Sequence, residues 1–166
     1  MFFVEEDMEV RTNPMRLLDR MGIEYKVHDY SQTGAVSGME VAEAMDEDPN
    51  LACKTLVTVG KSHKNHVFVL AVNRELDLKK AAASVGEKSV EMLHSKQLLS
   101  TTGYVHGGCS PMCIKKEMDV TLDSRSAENE MIYVSAGKIG FQLELRTADL
   151  IRAADMRTAD ISRDVQ

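Results

Sequence analysis

KTLVTVG (residues 54–60), KSHKN (61–65) and HVFVLAVN (66–73) follow one another without interruption, and the reading of this stretch decides the fold. Both flanks are rich in β-branched and aromatic residues and the middle is polar, so the stretch reads as a buried hairpin. Upstream, Asn13 and Pro14 read as a helix start, Met15, Leu17, Leu18 and Met21 give an apolar stripe, and Gly22 is a natural stop. YKVHDY (25–30) alternates like a strand, and Ser37 with Glu40 three residues on forms a capping box for a short helix through Val41, Ala42 and Met45. Downstream, Asp77 caps a helix over LKKAAASV that ends at Gly86; VEM (90–92) is a short strand, and SKQLLSTT (95–102) a short helix closed by Gly103. DVTLD (119–123), MIYVSAG (131–137) and FQLEL (141–145) give three more strands, with Gly137 and Gly140 bracketing a turn, and a last helix over roughly 147–155 is capped by Thr147. Hairpins mixed with helices favour a mixed or antiparallel sheet with helices packed on it over a doubly wound parallel sheet.

The 166 residues suit one domain with a real core, and there is no internal repeat, low-complexity segment or Pro/Gly-rich linker to divide it. Hydrophobic residues at 43% and charged residues at 28% are ordinary for a soluble protein, and no run approaches the roughly 18 apolar residues of a membrane span. The opening MFFV is followed at once by EEDMEV, which lacks the basic start and long apolar run of a signal peptide. Three cysteines, an odd number, fit a reducing compartment, and a cytoplasmic location is expected. A net charge of −6 argues against gripping a nucleic-acid backbone by bulk electrostatics, and neither a DNA nor a membrane partner is expected. Phosphate-loop fingerprints are missing, which leaves nucleotide hydrolysis without support.

The chemistry concentrates in GYVHGGCSP (103–111). His106, Cys109 and Cys113 offer imidazole and thiolates in zinc-like spacing, one ligand short. Cys109 as a nucleophile would need a base such as His106 at its side. Gly107 and Gly108 offer something different: without a Cβ, their backbone can approach a ligand closely and turn N–H groups toward it, which also suits stabilising an oxyanion. A plain bend between strands is the competing reading. Lys54 opens its strand after the small Ala52 and Cys53, where it is either an ordinary exposed strand-end lysine or a point charge for a phosphate or carboxylate. Ser135 and Gly137 end another strand with a second small-residue turn that could meet the first across a pocket. The pairs Lys79–Lys80 and Lys115–Lys116 read as solvated surface, although either could touch a nucleic-acid backbone.

KTLV (54–57), LDLKKAA (76–82), KSVEM (88–92), TGYVHGGCSP (102–111), KK (115–116) and YVSAGKIG (133–140) together resemble the YbaK/EbsC family, free-standing editing domains related to the insertion domain of bacterial prolyl-tRNA synthetase. The resemblance is collinear from about Asn13 to about Ile161. It implies an N-terminal extension over 1–12, a deacylase domain over 13–161 and a tail over 162–166. The fold it implies is α/β of the α+β type, a mixed, largely antiparallel sheet curled toward a barrel with helices around it.

The activity implied is hydrolysis of cysteine mischarged on proline tRNA, in trans beside prolyl-tRNA synthetase, with no cofactor. Carried over by motif, Lys54 contacts the aminoacylated 3′ end with Thr55 beside it, and Gly107 and Gly108 present backbone at the scissile ester. Ser110 and Pro111 shape that loop, Ser135 and Gly137 line the opposite wall, and Tyr30 stands at the family's pocket tyrosine. The family's proposed chemistry is attack by the substrate's own thiol on its ester carbonyl, so that no protein base is obligatory. Many relatives carry a small or aliphatic residue at the position of Cys109, the segment 31–38 lacks an acidic, histidine-containing stretch common in close bacterial relatives, and Gln142 stands where an acidic residue is frequent. A non-catalytic module that holds aminoacyl-tRNA or a synthetase, and a deacylase for another small amino acid such as alanine, are the alternatives.

Overall fold

A computed structural model describes residues 10–115 and 118–166. Most of the expected N-terminal extension, and Lys116 of the second lysine pair, lie outside the described residues. The hairpin is β2 (Cys53–Gly60) against β3 (Asn65–Ala71), antiparallel with Lys54 opposite Leu70 and Val57 opposite Val67. On β3, Val67 and Val69 enter one apolar core while Phe68 and Leu70 enter another, so the strand is covered on both faces and reads as a continuous apolar run.

Around this pair a five-stranded sheet runs in the order β5 (Val90–Met92), β2, β3, β6 (Asp119–Asp123), β9 (Met156–Ala159). The β3–β6 and β6–β9 pairs are parallel, which makes the sheet mixed. A three-stranded antiparallel sheet, β1 (Lys26–Asp29), β8 (Phe141–Arg146), β7 (Met131–Ser135), lies over it. The two sheets are laced where Tyr133 N–H donates to the Leu51 carbonyl at 3.0 Å, beside a parallel bridge from Ala52 to Tyr133, so the layers curl toward a barrel. Between them sits the main core, closed by Met15 and Leu18 of α1 (Asn13–Arg20) and Leu150 of α6 (Thr147–Ala154). The outer face of the large sheet is covered by Ala81 and Ala82 of α3 (Leu78–Ser84), together with Leu76 and Ile161.

Local sequence rules account for most helix ends. Thr12 caps α1, Ser37 and Glu40 complete a reciprocal capping box on α2 (Gly38–Ala44), and Asp77 accepts the N–H groups of Lys79 and Lys80 at the start of α3. Residues 95–102 form a short 3₁₀ turn, Ser95–Gln97, running into α4 (Leu98–Thr102), which ends at Gly103 with φ of 85°. Thr147 is not a cap: it is the first helical residue, its N–H donates to the Glu130 carbonyl, and its buried hydroxyl has no partner among the described residues, because β8 runs directly into the helix through Arg146. Elements beyond those expected are β4 (Arg74–Leu76), α5 (Ser124–Ala127), β9 and β10 (Ser162–Asp164). The last pairs antiparallel with β4, and buried Asp123 clamps it by accepting from Ile161 N–H and Ser162 Oγ, so the packed fold extends to Asp164.

A second polar clamp pins the hairpin. His66 on β3 meets Glu87 through Nε2 and Asp119 through Nδ1, each at 2.7 Å, and Glu87 also accepts from the N–H and hydroxyl of Ser62 in the hairpin turn. The Ser62 hydroxyl first, then His66, hold the Glu87 carboxyl down to about 2 from its ordinary 4.5. A depressed carboxylate stabilises the fold above its unfolded value and loses that contribution as pH falls toward its folded one. Urea unfolding midpoints of wild type should therefore fall between about pH 4.5 and 2 more steeply than those of Glu87→Gln, which should already be less stable at pH 7.

Candidate functional site

β2 has a complete partner along one edge only. On its other edge β5 takes Thr58–Gly60 and the bridge to β7 takes Ala52, so among the described residues no strand covers those between. Val57 C=O accepts from Leu93 N–H at 3.0 Å on that edge. Backbone groups of an antiparallel strand face the same side at every second residue, so the N–H and C=O of Thr55 also point into the gap. A cavity of about 270 Å³ fills it.

Side chains from both faces of β2 reach this cavity, because it wraps the strand edge: Lys54 and Leu56 from one, Cys53, Thr55 and Val57 from the other. One wall comes from Tyr30 and the start of α2, with Val36, Gly38 and Val41; another from Met92, Leu93, Ser95 and Leu98. The rest is the loop at His106, Gly107 and Cys109, with Ser135 of β7 and Gln142 of β8. Tyr30 is held by its own N–H, which donates to Gly140 C=O at 2.7 Å.

Lys54 is half-buried, makes no ion pair among the described residues, and is the only ammonium or guanidinium among the cavity's lining side chains. Burial lowers its pKa from the ordinary 10.5, opposed by the charge of Glu75. A partly desolvated cation without a carboxylate partner is set to interact strongly with an anion that forms in the cavity.

The glycine loop divides its work. Gly107 has φ of 88° and lines the cavity. Gly108 N–H closes a turn onto Val105 C=O at 2.9 Å, and an added Cβ there would lie 3.2 Å from the Ile139 backbone nitrogen. The loop thus packs backbone to backbone on the 138–139 turn, the meeting of two small-residue turns that the sequence suggests. Gly137, with φ of 96°, is hemmed in by Tyr104 and Pro14 and its N–H donates to Ser135 Oγ at 3.1 Å. Ser110 is fully buried and accepts from Met112 N–H at 3.1 Å; Pro111 is buried beside it. Of the residues singled out from sequence, Tyr30, Lys54, Thr55, Gly107 and Ser135 line the cavity, while Gly108, Ser110, Pro111 and Gly137 lie behind it and hold its wall.

Sequence reasoning missed Cys53, Gly38 and the Leu93–Leu98 wall as cavity residues. Gly38 carried a usable signal: glycine is a poor helix former, yet it stands directly after a capping serine, and the structure shows Val72 where its Cβ would be. The apolar wall residues had no such signal.

The thiols are poor nucleophiles. Burial pushes Cys109 up to about 12 and, against the lowering effect of a weak contact to Ser126, Cys53 to about 12 as well. His106 is exposed and, among the described residues, makes no side-chain hydrogen bond to Cys109 or to an orienting carboxylate. Among the described residues no group of three or more His, Cys, Asp or Glu could hold a metal ion, so His106, Cys109 and Cys113 do not converge. No described helix is long and apolar enough to cross a membrane.

The mixed α/β fold that carries this strand-edge cavity is shared with aminoacyl-tRNA editing domains. Residues 34–153 match the aminoacyl-tRNA editing domain family, and the chain belongs to that family. It is 39% identical over 153 residues, 92% of this chain and 93% of the relative, to EbsC of Enterococcus faecalis, which is named as a candidate Cys-tRNA(Pro)/Cys-tRNA(Cys) deacylase. Two solved structures share the fold: a candidate trans-editing enzyme for prolyl-tRNA synthetase (TM-score 0.79, 20% identity, 93% of this chain and 99% of that one) and the hypothetical protein APE2540 (TM-score 0.81, 18% identity, 89% and 97%). As a member of the editing family the chain is an aminoacyl-tRNA deacylase, an ester hydrolase.

Proposed function

We propose that the protein hydrolyses cysteine mischarged on proline tRNA, in trans to prolyl-tRNA synthetase, and that the substrate's own thiol breaks the ester. The observation that carries this reading is a cavity with a single half-buried cation among its described lining residues and two thiols, Cys53 and Cys109, that burial makes poor nucleophiles. At about 270 Å³ it is smaller than the roughly 300–1,000 Å³ of pockets for drug-sized ligands, which suits a small acyl group.

In the proposed step the cysteinyl sulfur bonds to its own carbonyl carbon, the bond from that carbon to the ribose oxygen breaks, and the thiol proton ends on the departing ribose hydroxyl. The product is a four-membered cyclic thioester, which water then opens to free cysteine and so completes the hydrolysis. Closing that ring is strained, so the pocket must orient the acyl group and stabilise the oxyanion as it forms. Lys54 Nζ and the Thr55 N–H are donors placed at the gap, and Gly107 lets the acyl group approach the loop backbone without a Cβ in the way. Selection of the tRNA body falls to the synthetase, consistent with a net charge of −6 that gives this domain no bulk hold on RNA.

The test is a deacylation panel of Cys-, Ala- and Ser-charged proline tRNA with and without prolyl-tRNA synthetase. Cys109→Ala and His106→Ala should keep turnover of the cysteinyl substrate within about threefold of wild type, since neither side chain enters the step. The seryl substrate should be spared, because a hydroxyl replaces the attacking thiol. Loss of activity in folded Cys109→Ala would overturn the substrate-thiol chemistry, and protection rather than cleavage of the ester would favour a binding module.

A further inference from the structure

Among the described residues, both carboxyl oxygens of Glu47 and Oε1 of Gln142 are buried without a hydrogen-bond partner. Glu47 follows α2, where its N–H donates to Ala42 C=O at 2.8 Å, and its side chain lies beside Gln142 on the outer face of the three-stranded sheet. The titratable neighbours are His28, Glu144, Tyr133 and Asp48. His28 meets Glu144 through Nε2 at 2.7 Å and stacks edge-on to Tyr133 at 5.6 Å between ring centroids, and the Glu47 oxygens accept from neither of its ring nitrogens. Gln142, only 7% exposed, reaches the cavity from the other side.

Buried acceptors without partners are costly, and folded proteins rarely leave several together. An ionised Glu47 would be acceptor-only, leaving its two buried oxygens dependent on the Gln142 amide alone. A protonated carboxyl contains the missing donor itself. We propose that Glu47 is a neutral carboxylic acid in the folded protein, that it donates to Gln142 Oε1, and that it thereby fixes the Gln142 NH₂ toward the cavity as a donor to the bound acyl group. Glu47 is then a positioning residue, and Gln142 the residue that touches substrate. Burial, the largest influence, holds the Glu47 carboxyl above the usual range, against smaller pulls from the Gln142 amide and His28. The effect on turnover rests on the deacylase reading above; the state of the acid does not.

An acid whose folded pKa is raised favours the fold fully below its unfolded value, near 4.5, and loses that contribution as pH rises through its folded value. Glu47→Gln keeps the shape and a donor but cannot ionise. Its Tm should match that of wild type near pH 4.5 and exceed it increasingly toward pH 8, with the wild-type chain and the variant scanned in full length. With Cys-charged proline tRNA, Glu47→Gln should retain activity and flatten the loss seen in wild type as pH rises, whereas Glu47→Ala and Gln142→Ala should each lose about tenfold in kcat/KM, and the double variant little more. A Tm difference between wild type and Glu47→Gln that does not change with pH overturns the neutral acid. If the Tm behaviour is as expected but Glu47→Ala deacylates like wild type, the positioning role is overturned. If wild type deacylates none of the substrates, the deacylase reading fails, and the Tm series still decides the state of Glu47.

Discussion

Lys54→Ala should lower kcat/KM for Cys-charged proline tRNA by about 10²–10³, the usual cost of deleting one preorganised donor aimed at a developing oxyanion. The expectation follows from position. Lys54 is the one cationic side chain at the cavity, half-buried and without a carboxylate at its ammonium, so its charge is not already neutralised. The same features mean that its removal should not unfold the chain: burial disfavours the charge, so Tm of Lys54→Ala should equal or exceed that of wild type at pH 7. Activity lost with stability kept separates a functional cation from a structural one. Lys54→Arg should recover only part of the rate, since a planar guanidinium cannot occupy the place of a compact ammonium at a strand edge. With the pKa of Lys54 lowered from 10.5, the activity should fall as pH rises through a value below lysine's ordinary range, and that inflection should vanish in Lys54→Ala once spontaneous ester hydrolysis is subtracted. Equal kcat/KM in the two proteins would remove Lys54 from the reaction.

What the sequence made legible follows from how local each determinant is. The β2–β3 hairpin declares itself because β3 is covered on both faces and must be apolar throughout. Capping at Ser37–Glu40 and at Asp77 is equally plain, since a cap is settled within four residues. Strands β4, β9 and β10 are invisible for the opposite reason: each is three or four residues long and largely polar, and exists because a distant strand or the buried Asp123 pairs with it. Thr147 illustrates a cap rule overridden by a strand that runs straight into the helix. At the site, Lys54, Thr55, Gly107 and Ser135 could be named because motif residues carry them to the cavity, but the decisive feature is an absence. The gap between β5 and β7 along β2 is a property of sheet pairing, and no residue in 53–57 encodes it alone. Partly buried Glu47 is hidden in the same way, because a lone glutamate after a short helix looks like solvated surface until the sheet beneath it is known.

Gly108→Val should reduce deacylation by about 10²-fold while leaving binding of the tRNA body to synthetase unchanged, an effect of the size expected when catalytic geometry is displaced by about 1 Å. Gly108 does not line the cavity, so the argument runs through its neighbour. Its N–H is committed to Val105, and the space a Cβ would take is bounded by the Ile139 nitrogen at 3.2 Å and the Lys138 carbonyl carbon at 3.5 Å. Backbone cannot rotate away as a side chain can, so a single methyl already presses the two turns apart and the branched valine must lift the loop. Gly107 and Cys109 flank it and both form cavity wall, so the wall moves with it. The 138–139 turn is itself held by Gly137, packed on Tyr104 and Pro14, and by Gly140 beside Ser31, which leaves the loop as the part that yields. Gly108→Ala, with the smaller group, should fall between wild type and valine in activity, and both variants should retain cooperative unfolding because the main core is untouched. If Gly108→Val turned over substrate at the wild-type rate with its fold intact, the close packing of these two turns would have no part in shaping the acyl pocket.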